Sequence, residues 1–248
     1  MSFRVVIPAR FDSSRLPGKA LLPLAGKPML QWVHERARSS RAMECVVATD
    51  DDRIAVAARA FGAEVVMTAR THLSGTDRIA EVAATRGWAD ADIVVNVQGD
   101  EPLIPPPVID QVARLLADHA RSDIATLAAK IESVAELNDP NVVKVACEPG
   151  GRALYFSRAP VPWNRDAPTT LSPAHLRHVG IYAYRVSALR RLAALSAGRL
   201  EQIEKLEQLR ALENGMEIRV ALAVERPLAD VNTAADLERA ERALLLRP

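Results

Sequence analysis

FRVVIPA at residues 3–9, followed without a break by RFDSSRLPGK at residues 10–19, is the stretch that decides the fold of this chain. Its apolar run is continuous rather than alternating, so a strand made from it is covered on both faces, the signature of a strand inside a parallel sheet. Three more runs share that character: ECVVAT from residue 44, AEVVMT from 63 and DIVVNV from 92. Between them KPMLQWVHERARSS, DDRIAVAARAFG and TDRIAEVAATRG carry helical patterns, the second opening on aspartate and followed by Gly62, as a capped helix should be. Strand, helix and strand in repetition predict an α/β domain with right-handed crossovers. PPPVIDQVARLLADHA adds a helix with proline at its entry and Val108, Ile109, Val112, Leu115 and Leu116 on one face.

After about residue 140 the pattern changes. VVKVACEPGGRALYFSRAPVPW reads as two strands joined at Gly150 and Gly151, then a proline-rich stretch. RHVGIYAYRV is a further strand, LEQIEKLEQLRALENG a helix with Ile203, Leu206, Leu209 and Leu212 as its buried stripe, EIRVALAV a strand and NTAADLERAERALLL a closing helix. The expected organisation is a single domain over residues 1–248 carrying a β-rich insertion between about 130 and 185, with no internal repeat and no low-complexity tract.

With 32 basic and 31 acidic residues the net charge is +1, which argues against a nucleic-acid-binding surface and confines any basic site to a local cluster. Only five of the cations are lysines, at 19, 27, 130, 144 and 205, so each is informative. Cys45 and Cys147 lie in apolar runs and are expected to be reduced and buried. The start enters a strand directly and no run approaches the ~20 apolar residues of a membrane span, so no membrane partner and a cytoplasmic location are expected.

Ligands of open parallel sheets bind beyond the carboxyl ends of the strands. RFDSSRLPGK emerges there, and Arg10, Arg15 and Lys19 with Ser13, Ser14 and Gly18 suit an anion such as phosphate. The plain alternative is a solvated basic loop paired with Asp12. Neither GxxxxGK[ST] nor GxGxxG is present. The fourth strand ends in VNVQGDEPLIP, which brings Gln98, Gly99, Asp100 and Glu101 to the same edge, where a carboxylate beside phosphates implies a hard cation such as Mg²⁺; alternatively Asp100 caps the turn before Pro102. THLSGTDRIAE, residues 71–81, either caps a helix through Ser74 and Thr76 or presents that helix start, with Gly75 and Arg78, to the ligand.

Taken in order, IPARFDSSRLPGKAL, AGKPML, VATDD, SGTDRIAE, VNVQGDEPLIP, LYFSRAPVPWNRD, RHVGIYAYR, LEQLRALENG and the terminal DLERA resemble the 3-deoxy-manno-octulosonate cytidylyltransferases, the CMP-KDO synthetases, from residue 3 to about 242. The resemblance implies a mostly parallel, Rossmann-like nucleotidyltransferase sheet flanked by helices, with the β-rich insertion used for dimerisation. It implies transfer of CMP from CTP to the eight-carbon acidic sugar KDO, with release of pyrophosphate, in lipopolysaccharide synthesis. It places Arg10, Arg15 and Lys19 on the CTP phosphates with Asp100 on Mg²⁺, as the catalytic set. Ala9, Ser13, Ser74, Gly75, Arg78 and Gln98 complete the nucleotide site, and Arg158, His178, Tyr182, Glu207 and Gln208 take the sugar.

Alternatives remain for several of these: Arg158 paired with Asp166 across the proline loop, His178 and Tyr182 as core residues of one strand, and Glu207 and Gln208 on a solvated face. One position departs from the family pattern, in which VDTPEDLE carries a second metal-binding aspartate: this chain has VNTAADLE, so Asn232 offers a carbonyl oxygen without charge, or only caps the last helix. Asp230 lies two residues away as a substitute. A cytidylyltransferase for another acidic sugar, of the sialic acid type, would share the first half, and a non-catalytic nucleotide-binding module is the reading from a different class.

Overall fold

The structure is a computed structural model and describes residues 1–12, 16–72, 74–227 and 230–246. In chain order it contains β1 (Arg4–Ala9), a short ribbon of β2 (Pro23–Leu24) and β3 (Lys27–Pro28), α1 (Met29–Arg38), β4 (Glu44–Thr49), α2 (Asp52–Ala60), β5 (Glu64–Met67), α3 (Gly75–Thr85), β6 (Ile93–Asn96) and α4 (Pro106–Ala117). The second half adds β7 (Ile124–Lys130), α5 (Val134–Asn138), β8 (Lys144–Cys147), β9 (Ala153–Ser157), β10 (Leu176–Arg185), α6 (Val186–Ala193), α7 (Arg199–Glu204), α8 (Gln208–Glu213), β11 (Ile218–Leu222) and α9 (Ala234–Leu245).

The main sheet runs β11-β7-β10-β6-β1-β4-β5. β1 pairs in parallel with β4 and β6, β4 with β5, and β11 with β7, whereas β10 is antiparallel to both β6 and β7. A mostly parallel α/β sheet therefore forms as the sequence predicts. The continuous apolar runs have the expected cause: Val5 and Ile7 pack into one core with Leu30 of α1, Ile54 of α2 and Val108 of α4. Val6 faces the opposite core with Ile79 of α3, Leu189 of α6 and Leu209 of α8.

Three features differ from expectation. β7 lies in the interior of the sheet with six of its seven residues buried, yet IATLAAK did not stand out as a strand because alanine has little strand preference of its own; α6 was likewise not anticipated. β10, inside the 130–185 span, is a central strand of the main sheet, so the excursion from it is chiefly the β8–β9 hairpin, which attaches through β8 to β10. The single helix expected after residue 199 is broken at Lys205, which adopts a left-handed conformation with φ 55°. Ile203, expected in a buried stripe, is 76% exposed as a result, while Leu206 and Leu209 are buried. Both cysteines are free, Cys45 buried and Cys147 half-buried, and no helix among the described residues is long and apolar enough to cross a membrane.

Candidate functional site

Two adjoining cavities open at the carboxyl edge of the sheet. The first, about 480 Å³, is walled by Pro8, Ala9 and Arg10 leaving β1, by Gln98, Gly99 and Asp100 leaving β6, and by Lys19, Gly75, Arg78 and Asn232. One wall is tight enough to favour glycine: a Cβ at Gly99 would stand 3.0 Å from the Pro8 carbonyl oxygen of the neighbouring strand end, so that a side chain there needs the backbone to give by a few tenths of an ångström. Gly18, at φ 67°, turns the loop into the short helical turn Lys19–Leu21 that brings Lys19 to the wall. Ser13, Ser14 and Arg15, expected on the phosphates, lie outside the described residues.

Lys19 connects the two expected metal ligands. Its ammonium donates to Asp100 Oδ2 at 2.6 Å and to the Val231 carbonyl at 3.0 Å, and stands 3.5 Å from Asn232 Oδ1. Asp100 thus faces a cation instead of capping the next turn. The capping alternative for Asn232 also fails, because Thr233 caps α9 through a capping box with Asp236. The surroundings are strongly acidic. Burial, with the charges of Asp230 and Asp100, pushes the Glu101 carboxyl well above the carboxylate range, and its Oε2 has no partner. Crowding by protein, then the charge of Asp100, pushes Asp230 up to about 6 although the residue is exposed. Among the described residues no three His, Cys, Asp or Glu side chains are arranged to hold a metal ion alone. Asp100 and the Asn232 carbonyl, bridged by Lys19, form an incomplete hard-oxygen pair, which fits Mg²⁺ completed by substrate phosphate oxygens.

The second cavity, about 310 Å³, shares Arg10, Gly75 and Gln98 with the first. Tyr182, Glu207 and Gln208 line it, together with Ser74 and three residues outside the expected ligand set, Thr76, Asn96 and Tyr184. Burial raises the Glu207 carboxyl, against the opposing pull of the Thr76 hydroxyl and Arg210, and Glu207 Oε1 is buried without a partner, as is Asn96 Oδ1. Burial, then the charge of Glu207, also raises the Tyr184 hydroxyl, against the opposing pull of the nearby Thr76 and Asn96 side chains. Unused acceptors beside hydroxyl and amide donors suit a polyhydroxylated ligand. Tyr184 was legible in principle, since it follows Tyr182 at the strand period of two; Asn96 carried no such signal beyond its place at the end of β6.

Ser74 does cap α3, in a capping box with Asp77, and that role coexists with its place in the second cavity. Arg78 is fully buried; its guanidinium is bound to Thr68 and to Asp50 at 3.0 Å, so it braces the floor of the first cavity. Arg158 and His178 line neither cavity. Arg158 does not pair with Asp166: it donates through Nε to the Glu204 carbonyl at 2.7 Å and through Nη1 to the Pro140 carbonyl at 2.9 Å. His178 sits edge-on to Phe156 and against Tyr182, with Nε2 2.9 Å from the Thr126 hydroxyl, and burial, then Arg177, pushes its pKa down to about 3.

Residues 4–218 match the protein family described as Cytidylyltransferase. A 3-deoxy-manno-octulosonate cytidylyltransferase of Thioalkalivibrio sulfidiphilus is 53% identical over 248 residues, spanning 98% of this chain and 99% of that protein. Its namesake in Pseudomonas syringae pv. tomato is 56% identical over 249 residues, spanning 98% of each. A solved structure described as CMP:2-keto-3-deoxy-manno-octonic acid synthetase complexed with CTP superposes with a TM-score of 0.92 at 42% identity over the whole of both chains. A cytidylyltransferase from Leptospira borgpetersenii, at a TM-score of 0.63 and 20% identity over 98% of this chain and 86% of its own, shares the fold.

Proposed function

The chain belongs to the 3-deoxy-manno-octulosonate cytidylyltransferases within the cytidylyltransferase family, and from that premise we propose that it transfers CMP from CTP to 3-deoxy-manno-octulosonate. The observation that carries this reading is the pair of adjoining cavities sharing Arg10, Gly75 and Gln98, one walled by phosphate-type groups and the other by sugar-type groups. CTP takes the first and the acidic sugar the second, so their reacting atoms meet at the shared wall. A sugar hydroxyl oxygen forms a bond to the α-phosphorus, the bond from that phosphorus to the bridging oxygen breaks, pyrophosphate leaves with the electron pair, and the hydroxyl proton passes to solvent or base. Negative charge grows on the departing oxygens, so fixed cations at that wall lower the barrier. Arg10 and Lys19 are those cations, and Lys19 exchanges its contact with Asp100 for the phosphates when CTP enters.

Asp100 and Asn232 would hold Mg²⁺, which when bound supplies Lewis-acid polarisation of the phosphoryl oxygens and charge neutralisation. Thr76, Asn96, Tyr182, Tyr184, Glu207 and Gln208 orient the sugar. A role in lipopolysaccharide synthesis and assembly as a homodimer accompany this reading; exposed Leu154 and Trp163 of the β9 segment and the loop after it support the second. The test is pyrophosphate release from CTP by purified protein with Mg²⁺. Release is expected with 3-deoxy-manno-octulosonate and at least 100-fold slower with a sialic acid at about equal concentration, a ratio within the reach of hydrogen-bond discrimination. Equal rates with both sugars would overturn the substrate assignment.

A further inference from the structure

Glu207 and Gln208 reach the second cavity only because the chain stops being helical just before them. α7 ends at Glu204, Lys205 turns left-handed at φ 55° and ψ 45°, and α8 restarts at Gln208. A continuous helix would carry residues 207 and 208 around a different axis. Something must hold the break, since a lysine in that conformation is strained by about 1–2 kcal/mol.

Glu204 is held at three points by two consecutive residues of another element. Its carboxylate accepts from Ser157 Oγ at 2.7 Å on Oε1 and from the Arg158 backbone N–H at 2.9 Å on Oε2. Its own carbonyl accepts from Arg158 Nε at 2.7 Å. Side chain and backbone of one residue are therefore fixed together, immediately before the turn. The anchor is itself rigid: Lys144, fully buried, donates to the carbonyls of Arg158 at 2.5 Å, Val142 at 2.6 Å and Asp139 at 2.9 Å. The backbone of Arg158 is therefore held on both sides, its carbonyl accepting from Lys144 and its N–H donating to Glu204. On the far side of the turn, Arg210 pairs with Glu201 at 2.6 Å, which fixes the start of α7 against α8.

We propose that Glu204 is a positioning residue for the sugar: its junction with Ser157 and Arg158 sets the break that turns Glu207 and Gln208 into the second cavity. This rests on the assignment of that cavity to the acidic sugar. None of the three groups lines either cavity, so the effect reaches the ligand only through the turn.

The experiment compares steady-state kinetics of Glu204→Ala, Glu204→Gln and Glu207→Ala with CTP and 3-deoxy-manno-octulosonate varied in turn. Glu204→Ala is expected to raise KM for the sugar about tenfold and KM for CTP less than twofold, the size of losing one or two net hydrogen bonds' worth of alignment. Glu204→Gln should restore the sugar KM to within about threefold, because the amide oxygen can accept the Arg158 N–H while the Ser157 hydroxyl rotates to accept from the amide nitrogen. If Glu204→Ala does not fold, Ser157→Ala removes one of the ties to Glu204, along with the bond the Ser157 hydroxyl accepts from the Ala159 N–H, and should raise the sugar KM about two- to threefold with the CTP KM unchanged. An unchanged sugar KM, or equal increases for both substrates, in whichever of the two folds overturns the positioning role. An unchanged sugar KM in Glu207→Ala overturns instead the placement of the sugar; a raised one there beside an unchanged one in Glu204→Ala overturns the positioning role alone.

Discussion

Lys19 holds Asp100 and approaches Asn232, so single charges in this corner decide how it binds phosphate and metal. Lys19→Ala is expected to weaken CTP binding and slow turnover about 10- to 100-fold, the loss of a charge-assisted contact of ~1.5–3 kcal/mol; wild-type kinetics in that variant would remove the phosphate assignment. Asn232 brings no charge to the oxygen pair, and affinity for a divalent ion rises with ligand charge. Asn232→Asp should therefore lower the Mg²⁺ concentration for half-maximal rate, read from a metal titration at saturating CTP; an unshifted midpoint would deny it a ligand role, since it is Thr233 that caps α9. His178 gives a pH-dependent term. Its folded pKa is pushed down to about 3 from an ordinary 6.5, so below pH 6.5 the unfolded chain takes up a proton that the folded chain refuses. Stability is present in full above that pH and is lost as pH falls, by up to ~2 kcal/mol at pH 5. Chemical denaturation of His178→Gln at pH 7.5 and at pH 5 should show a smaller loss between the two than wild type shows.

Among the elements, the α7–α8 corner separates local preference from tertiary demand. Ile203, Leu206, Leu209 and Leu212, each three residues after the last, read as the buried stripe of one helix, and the structure instead exposes Ile203 and bends at Lys205. If the left-handed turn is imposed by its surroundings, glycine should relieve it. Lys205→Gly is expected to raise stability by about 1 kcal/mol with the sugar KM retained, whereas Lys205→Val, branched at Cβ, should lower it by more. Thermal unfolding of the two variants beside wild type checks the sign. α3 shows the opposite relation, because its cap at Ser74 was legible in the sequence and is present, completed by Asp77 in a capping box, and the same turn supplies Gly75 to both cavities.

For the whole molecule, the β8–β9 hairpin is joined to β10 through β8 and to β11 by the bridge from Arg152 to Arg219, and it buries Phe156 against Leu209 of α8 and Val220 of β11. Leu154 is 54% and Trp163 63% exposed, while Phe156 between them is buried. An apolar surface of this kind is the expected contact between two copies. Light scattering at micromolar concentration should give twice the 27.0 kDa of one chain, and Leu154→Glu should shift the mass toward a single chain; a single-chain mass in wild type would remove the homodimer from the proposal.

The order of the main-sheet strands and the α-helices through residue 117, though not the β2–β3 ribbon, the parallel character of the sheet and the edge at which ligands gather were legible in the sequence, because continuous apolar runs, aspartate and serine caps and glycine-bearing loops are local signals. Arg10, Lys19, Gly75, Gln98 and Asp100 could be picked out for the same reason: they leave successive strands at one edge. Tertiary structure alone decided the rest. The alanine-rich β7 is a strand because β10 and β11 flank it, and neither neighbour is near it in sequence. Arg158 is drawn to the carbonyls of Glu204 and Pro140, and Arg78 to Asp50 and Thr68, partners no spacing announces. Asn96, Thr76 and Tyr184 meet around Glu207 only once β6, α3, β10 and the broken helix are packed together, because the free energy that selects such an arrangement comes from contacts between distant segments and not from the preferences of any one of them.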